Sequence, residues 1–218
     1  MNAAIIWPKH IRHLVIEGPI GAGKTTLARK LAAATGAQLL LEEPEANPFL
    51  ARFYRDRRRY ALPTQLFFLF QRVQQLQQLQ QLDLFRTRIF SDYLFEKDAL
   101  FARLTLADDE LSLYEQLHAR LAPSVPTPDL VIWLQAQPPT LRERIARRGH
   151  AAEEGIDEGY LRALVQAYAR FFHQYDRAPV LAVNTEHLDL AERSSDLNLL
   201  MERIGRMRGR REFFNLKA

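Results

Sequence analysis

Short apolar segments alternate with longer segments of helical period along this chain. The apolar segments are four or five residues long, and we expect them to form five buried strands, at 14–17, 38–41, 88–91, 130–134 and 180–183. Strands of this kind, separated by helices, are typical of a parallel sheet that is covered on both faces. The pattern therefore predicts an α/β fold in which right-handed crossovers join neighbouring parallel strands.

The segments between the strands carry recognisable helix signals. We predict five helices, at 24–34, 63–84, from about 108 onward, 138–148 and 157–175. Gly36 lies where a helix-ending glycine belongs, and Asp157 is a typical helix N-cap. Pro63 and Pro138 suit a first helical turn, because the N–H group that proline lacks would have no helical partner there.

Composition excludes several classes of protein. Hydrophobic residues make up 47% and charged residues 26% of the 218, so we expect one globular domain over 1–218. The sequence has no cysteine, which excludes disulfides, thiolate zinc sites, iron–sulfur clusters and cysteine nucleophiles. The apolar stretch at 3–7 is shorter than a signal-peptide core, and no run approaches the roughly 18 residues of a membrane span. We expect a cytoplasmic protein without a membrane partner.

Basic residues are concentrated in three places. The formal net charge is +4, and arginines cluster at 55–59, at 142–148 and in a C-terminal segment, 203–218. Such clusters suit a small phosphorylated ligand as well as a nucleic-acid surface, and solvated helix faces account for many of these residues. We expect small-molecule partners and no nucleic acid, and we expect 203–218 to be a basic tail.

The strongest chemical signal follows the first predicted strand directly. Residues 18–25 match the P-loop pattern of Gly, four residues, Gly, Lys and Ser or Thr. Glycines let backbone N–H groups approach phosphate oxygens, and the helix N-terminus adds partial positive charge. Lys24 supplies a charge for the β- and γ-phosphates, and Thr25 supplies a ligand for Mg²⁺. We therefore expect ATP and Mg²⁺ to bind at Gly18, Gly21, Ala22, Gly23, Lys24, Thr25 and Thr26.

The P-loop does not specify what accepts the phosphoryl group. The Asn-Lys-x-Asp motif of guanine-specific GTPases is absent from the sequence, and at this length a small kinase is the natural interpretation. Glu42, Glu43 and Pro44 follow the second predicted strand, and the carboxyl ends of parallel strands face the ligand crevice. A carboxylate there can accept the proton of an attacking hydroxyl, although a solvated acidic turn is equally compatible with these residues.

Several separated motifs together resemble the deoxynucleoside kinase family, which includes the deoxyadenosine, deoxyguanosine and deoxycytidine kinases. They are Glu43-Pro44, Tyr54 eleven residues before Gln65, Arg72 seven residues after it, and a later stretch with Arg144, Arg148-Gly149, 153–156 and Tyr160-Leu161. The resemblance covers about 14–183. It implies a three-layer P-loop kinase fold with a five-stranded parallel sheet, a short arginine-bearing lid at about 144–156, and a homodimer.

The resemblance also implies roles for the matched residues in catalysis. Glu43 would deprotonate the 5′-hydroxyl of a deoxynucleoside, and Lys24 would hold the transferred phosphate. Arg144 and Arg148 would close over the phosphates as lid arginines.

The resemblance further implies how the deoxynucleoside is bound. Gln65 would hold the nucleobase through its amide donor and acceptor, and Arg72 and Asp98 would flank the base. Tyr54 and Glu153 would bind the sugar 3′-hydroxyl, and a tyrosine beside C2′ would disfavour a ribose.

The chain departs from the family after the third predicted strand. Relatives carry an acid-Arg-Ser triplet there, whereas this chain has Asp92-Tyr93-Leu94. Asp92 keeps the acid, which can hold Mg²⁺, but Tyr93, expected in the substrate site, has no charge. His150 replaces another lid arginine. Arginines at a transferring phosphoryl group are worth about 10³–10⁵ in rate, so Arg147 or an arginine of 55–59 substitutes, or the acceptor differs, or turnover is slow.

Three functions remain open from the sequence. We favour a deoxynucleoside 5′-kinase that prefers purine nucleosides. A kinase for a nucleoside monophosphate or another small hydroxylated metabolite is the second interpretation. The third is a nucleotide-binding regulatory module without transfer activity, which Tyr93 and the basic C-terminal segment would suit.

Overall fold

The computed structural model describes residues 7–80, 88–121 and 126–216. These residues form six strands, β1 His13–Glu17, β2 Gln38–Leu40, β3 Ile89–Ser91, β4 Leu130–Gln135, β5 Val180–Asn184 and β6 Arg211–Phe214. All neighbouring strands are parallel, and their order across the sheet is β2-β3-β1-β4-β5-β6. The predicted α/β class is confirmed, but the predicted number of five strands is wrong by one.

Helices cover both faces of the sheet. The described residues form eight α-helices, α1 Lys24–Thr35, α2 Leu50–Arg55, α3 Arg57–Gln80, α4 Lys97–Thr105, α5 Asp108–Leu121, α6 Pro138–Arg148, α7 Glu158–Gln174 and α8 Ser194–Arg206. Short 3-10 turns lie at Pro44–Ala46 and Ala151–Glu153. None of the helices in the described ranges is long and apolar enough to span a membrane.

Two main cores lie on opposite faces of the sheet, because side chains alternate along a strand. In β1, Leu14 and Ile16 belong to the core that α1 and α8 cover, where Leu27 is fully buried. The intervening residue, Val15, belongs to the core on the other face, together with Tyr168 of α7. A strand that is buried on both faces has to be apolar at every position, which is why continuous apolar runs identified the central strands.

The long helix α3 begins earlier than predicted. It starts at Arg57, so Pro63 lies inside the helix and not in its first turn. The reason is Asp56, whose carboxylate accepts a hydrogen bond from the Arg59 N–H at 3.2 Å and whose carbonyl accepts one from Tyr60. Asp56 therefore caps the helix seven residues before the proline. The predicted end at residue 84 lies outside the described residues, as does most of the apolar stretch at 3–7.

The C-terminal segment is not a solvated tail over the residues that the structure describes. The Arg203 guanidinium forms an ion pair with Glu212 at 2.8 Å. Residues 211–214 form the sixth strand, beside β5. The Arg211 guanidinium donates to the carbonyl oxygens of Phe172 and Tyr175, at 2.5 and 2.6 Å. Arg203 and Arg211 therefore fasten an edge strand to α8 and to the end of α7, and the prediction of a basic tail is corrected.

A buried carboxylate fixes the carboxyl end of β1 between two other elements. Glu17 is fully buried, and its Oε1 accepts hydrogen bonds from the Gly18 N–H at 2.8 Å and the Tyr168 hydroxyl at 2.9 Å. Its Oε2 accepts from the Leu94 N–H at 2.7 Å. This side chain thus fixes the end of β1, where the chain enters the loop before α1, relative to the segment after β3 and to α7.

Replacing Glu17 tests this role. Glu17→Ala leaves three buried donors without an acceptor, so we expect the free energy of unfolding to fall by at least about 3 kcal/mol. Tyr168→Phe removes one donor only, and we expect a loss of about 1 kcal/mol. Urea unfolding followed by circular dichroism measures both values, and equal losses for the two variants would contradict the arrangement.

Candidate active site

The carboxyl ends of β1, β2 and β3 meet at one edge of the sheet, where the Asp92 carboxylate joins them. Its Oδ1 accepts a hydrogen bond from the backbone N–H of Glu42 at 2.8 Å, just after β2. Its Oδ2 accepts one from the Thr25 hydroxyl at 2.5 Å, in the first turn of α1. Because β3 lies between β1 and β2, Asp92 holds the segments after both neighbouring strands in register.

The loop between β1 and α1 is shaped by its glycines. Gly21 and Gly23 have φ of +83° and +95°, a backbone region that favours glycine. A Cβ on Gly18 would lie 2.5 Å from the carbonyl oxygen of Leu134, and one on Gly21 would lie 2.9 Å from that of Leu141. The loop therefore packs directly against β4 and α6. The N–H groups of Gly18 and Ala22 donate within the protein, to Glu17 and to the Pro19 carbonyl, which leaves those of Gly21 and Gly23 for a ligand.

The side chain of Lys24 bonds to the backbone of the loop itself. Lys24 Nζ donates to the carbonyl oxygens of Gly18 and Pro19, at 2.9 and 3.2 Å. Burial and then the positive charge of Lys97 lower the pKa of Lys24. Two lysines thus face the same region, one from the P-loop and one from the start of α4.

A large cavity opens beside the P-loop. Its volume is about 830 Å³, which is within the range of small-molecule sites. Gly21, Gly23 and Thr26 line one side, and Arg144, Arg147 and Arg148 of α6 line another, together with residues of the segment 185–193 after β5. The Arg144 guanidinium donates to the hydroxyl and carbonyl oxygens of Thr185, at 2.8 and 2.7 Å, and burial lowers its pKa. Sequence analysis missed the 185–193 side of this cavity.

Glu42, and not Glu43, turns its carboxylate into the protein. Oε1 of Glu42 accepts a hydrogen bond from Arg72 Nε at 3.1 Å, and Oε2 accepts one from Lys97 Nζ at 2.9 Å. Burial raises the pKa of Glu42, but the two cations outweigh it and hold that pKa well below its usual range. The Glu43 side chain is exposed, and its carbonyl oxygen accepts from Gln71 at 3.3 Å. The expectation that Glu43 lies in the crevice is therefore corrected: the preceding residue, Glu42, takes that place.

Arg72 links this carboxylate to a second one. Its guanidinium contacts both Glu42 and the fully buried Asp98, and its own side chain is only 4% exposed. The rings of Phe68 and Tyr93 lie 5.0 and 5.8 Å from its central carbon. The predicted pair of Arg72 and Asp98 is thus in contact.

Gln65 and Tyr54 lie on neighbouring helices as buried side chains. Gln65 Nε2 donates to the Thr105 hydroxyl at 3.4 Å. Tyr54 packs on Tyr160, with ring centroids 6.3 Å apart, and burial raises its pKa well above the ordinary value. A Cβ on Gly155 would lie 2.8 Å from the Tyr54 carbonyl oxygen, so the segment after α6 rests on α2.

The remaining predicted residues occupy the lid and the end of β3. Arg148 forms an ion pair with Glu153, whose side chain is mostly buried. Tyr93 is buried, and its hydroxyl has no hydrogen-bond partner within the parts of the chain that are described. His150 Nδ1 lies 3.6 Å from Glu45 at the surface.

Comparison with known proteins agrees with this architecture. A parallel sheet with a phosphate-binding loop defines a P-loop nucleotide-binding protein, and the family model "Deoxynucleoside kinase" matches residues 14–207. The chain belongs to the deoxynucleoside kinase family of phosphotransferases.

Two relatives illustrate the range of the family. The deoxyguanosine kinase of Bacillus subtilis (strain 168) is 33% identical over 196 residues, which is 88% of this chain and 95% of that protein. The deoxyadenosine kinase of Dictyostelium discoideum is 33% identical over 176 residues, 79% of this chain and 71% of that one.

Solved structures show the same fold. A deoxyadenosine kinase from M. mycoides with the products dCMP and a flexible dCDP has a TM-score of 0.78 and 26% identity, over 89% of this chain and 99% of that one. The same enzyme with bound dATP has a TM-score of 0.77 and 25% identity, over 88% and 98%.

Substituting Gly21 tests the shape of the P-loop. In Gly21→Ala the new Cβ meets the Leu141 carbonyl at a positive φ, so we expect at least tenfold weaker binding of a nucleoside triphosphate. Gly36→Ala is the matched control, because its φ is +70° and, apart from its chain neighbours, no described residue has an atom within 4 Å of the added Cβ. We expect it to lower the free energy of unfolding by about 1 kcal/mol without changing binding. Titration calorimetry measures the affinities, and equal affinities for the two variants would refute the packing argument.

Proposed function

We propose that the protein transfers the γ-phosphoryl group of ATP to the 5′-hydroxyl of a deoxynucleoside, with purine nucleosides preferred. The observation that carries the proposal is the position of Glu42. Its backbone is fastened through Asp92 to Thr25 of the P-loop, and its carboxylate points into the buried region before α3 and α4. A carboxylate is thereby held at a fixed distance from a phosphate-binding loop, which is what in-line transfer to a hydroxyl requires.

The donor nucleotide is assigned to the P-loop and the cavity beside it. Gly21 and Gly23 are assigned to supply backbone N–H groups for the phosphates, while Gly18 and Ala22 shape the loop around them. The side chain of Lys24 would leave the carbonyl groups that it contacts here for the β- and γ-phosphates. The similar structure from M. mycoides holds dATP, which supports a triphosphate site. Thr26 and the segment 185–193 line the rest of the cavity.

Thr25 and Asp92 fit a magnesium site. They bring a hydroxyl and a carboxylate oxygen within 2.5 Å of each other at the P-loop, and Mg²⁺ prefers oxygen ligands, of which the protein usually supplies only one or two. When bound, the ion would neutralise charge that develops on the phosphate oxygens. Arg144 and Arg148 are assigned to the same phosphates from the lid side.

Glu42 is the general base in this proposal, in place of Glu43. Its carboxylate stays ionised because Arg72 and Lys97 hold its pKa low, so it can accept a hydrogen bond from the 5′-hydroxyl and orient it. A low pKa makes it a weak base, so the proton moves late, once the bond to phosphorus has made the hydroxyl acidic. Glu43 is exposed, and within the described ranges no ion pair orients its carboxylate.

The remaining buried polar residues are assigned to the nucleoside. Gln65, Arg72 and Asp98 offer amide and charged groups for the edge of a nucleobase, and Tyr93 lies next to Arg72. Tyr54 and Glu153 are assigned to the sugar 3′-hydroxyl. Relatives named deoxyguanosine and deoxyadenosine kinases support the purine preference. Two other relatives are named a deoxyadenosine/deoxycytidine kinase and a deoxycytidine kinase 2.

We further propose a cytoplasmic homodimer. The absence of cysteine from the whole sequence fits a reducing compartment. Phe70 of α3 and Leu113 of α5 are 53% and 48% exposed, on two helices that contact each other, and they offer apolar surface for a second copy.

An acceptor panel tests the proposed reaction. With ATP and Mg²⁺, we expect deoxyguanosine and deoxyadenosine to have kcat/KM values at least tenfold above those of deoxycytidine and thymidine. Chromatography of the 5′-monophosphates formed measures the rates, and the four nucleoside monophosphates serve as competing acceptors. Phosphorylation of a monophosphate in preference to every nucleoside would overturn the proposal.

The two adjacent glutamates provide a matched pair of variants. We expect Glu42→Gln to lower kcat by about 10²–10⁴ because the base is lost, while Glu43→Gln stays within about threefold of the wild type. Steady-state kinetics with the best nucleoside measures both. The opposite order of effects would return the base to Glu43.

A further inference from the structure

We infer that Lys97 is the positioning residue that supplies Glu42 with the positive charge that Tyr93 does not carry. The inference rests on the proposed function, because it concerns the base of that reaction. It answers the question that the sequence left open, which cation takes the place of an arginine at position 93.

Geometry singles out Lys97 among the cations of this region. Its side chain is 3% exposed, and Nζ donates to Glu42 Oε2 at 2.9 Å. The ammonium also lies 5.8 Å from the centre of the Tyr93 ring. The charge therefore occupies the space beside the side chain of residue 93, on the oxygen of Glu42 that Arg72 does not bind.

The other candidate cations lie elsewhere or are shared with another carboxylate. Arg55, Arg58 and Arg59 are exposed at the surface. Arg57 pairs with Asp157 at 2.7 Å and lies over the Tyr160 ring at 4.3 Å. Arg147 lines the cavity on the donor side of the P-loop. Arg72 does reach Glu42, but its guanidinium is shared with Asp98.

Stability alone does not account for a lysine at this position. Burying an ammonium group is unfavourable even when it is paired, and a methionine of similar length would fill the same volume. Lys97 is also the first residue of α4, where the partial positive charge of the helix end opposes a cation. The compensating interaction is with Glu42, so the charge serves the carboxylate and not the helix.

The consequence for the reaction is orientation of the base. With Arg72 on Oε1 and Lys97 on Oε2, both oxygens of Glu42 are fixed in direction, and a 5′-hydroxyl meets a carboxylate that is already aimed. Removing Lys97 frees one oxygen, so turnover falls while the binding of the nucleobase and of ATP is retained.

The test compares Lys97→Met with Lys97→Arg and with a variant that moves the charge, Tyr93→Arg/Lys97→Met. We expect Lys97→Met to lower kcat by about 10²-fold, with KM for both substrates within threefold of the wild type. We expect Lys97→Arg to keep kcat within tenfold of the wild-type value. Adding Tyr93→Arg to Lys97→Met should raise kcat at least tenfold above that of Lys97→Met alone. Arg103→Met is the control, because Arg103 is on the same helix, is 69% exposed and pairs with Glu115 at the surface. We expect no change for it.

A double-mutant cycle separates this role from a structural one. In the Glu42→Gln background, Lys97→Met should add less than a twofold further loss, because the lysine acts through the carboxylate. Additive losses, or an unchanged kcat in Lys97→Met, overturn the inference. The proposed function still stands in that case if the wild-type protein phosphorylates deoxynucleosides. A wild-type protein inactive on all four overturns the proposed function itself. If thermal melting shows Lys97→Met to be unfolded, Lys97→Gln replaces it, and the rescue by Tyr93→Arg decides.

Discussion

One buried carboxylate sets the distance between the P-loop and the segment that carries Glu42. Asp92 accepts the Glu42 N–H with one oxygen and the Thr25 hydroxyl with the other, so the segment after β2 cannot move relative to the P-loop without breaking a hydrogen bond to a charged acceptor. Such bonds contribute about 1.5–3 kcal/mol each. The parallel strand order makes this possible, since only a residue at the end of β3 lies between the other two strand ends.

Around Glu42, the structure depends on a balance of buried charges. Glu42 and Asp98 carry two negative charges and Arg72 and Lys97 two positive ones, and each of these side chains is buried or nearly so. Apolar residues of equal volume would make a comparable or more stable core. A protein that keeps four charges in this place is therefore organised around binding or chemistry, and the stability of its fold comes from the apolar cores on the two faces of the sheet.

The sequence predicted best where local rules decide structure. The P-loop, the helix after it and the central strands follow from glycine spacing, helical period and burial on both faces, and the structure agrees. The sixth strand was missed because Arg211 and Glu212 break the apolar pattern on an edge strand, whose outer side needs no core. The start of α3 was missed because Asp56, a local cap, has more influence than Pro63.

The choice between Glu42 and Glu43 illustrates a different limit. The two are identical in type and adjacent, so composition and spacing treat them alike, and the resemblance to relatives selected the one next to Pro44. In an extended segment a shift of one residue reverses the side to which a side chain points. Only the long-range partners, Arg72 thirty residues later and Lys97 fifty-five residues later, distinguish the inward carboxylate.

The same reasoning explains why a motif can change while its chemistry is kept. A buried carboxylate that must stay ionised and aimed is stabilised by nearby positive charge or hydrogen-bond donors, and these groups can come from any position in the chain. Tyr93 leaves the place beside Glu42 without a charge of its own, yet the turn into α4 brings Lys97 to it from four residues further on. The position of the charge beside the carboxylate matters for phosphoryl transfer, and the position in the sequence that supplies it does not.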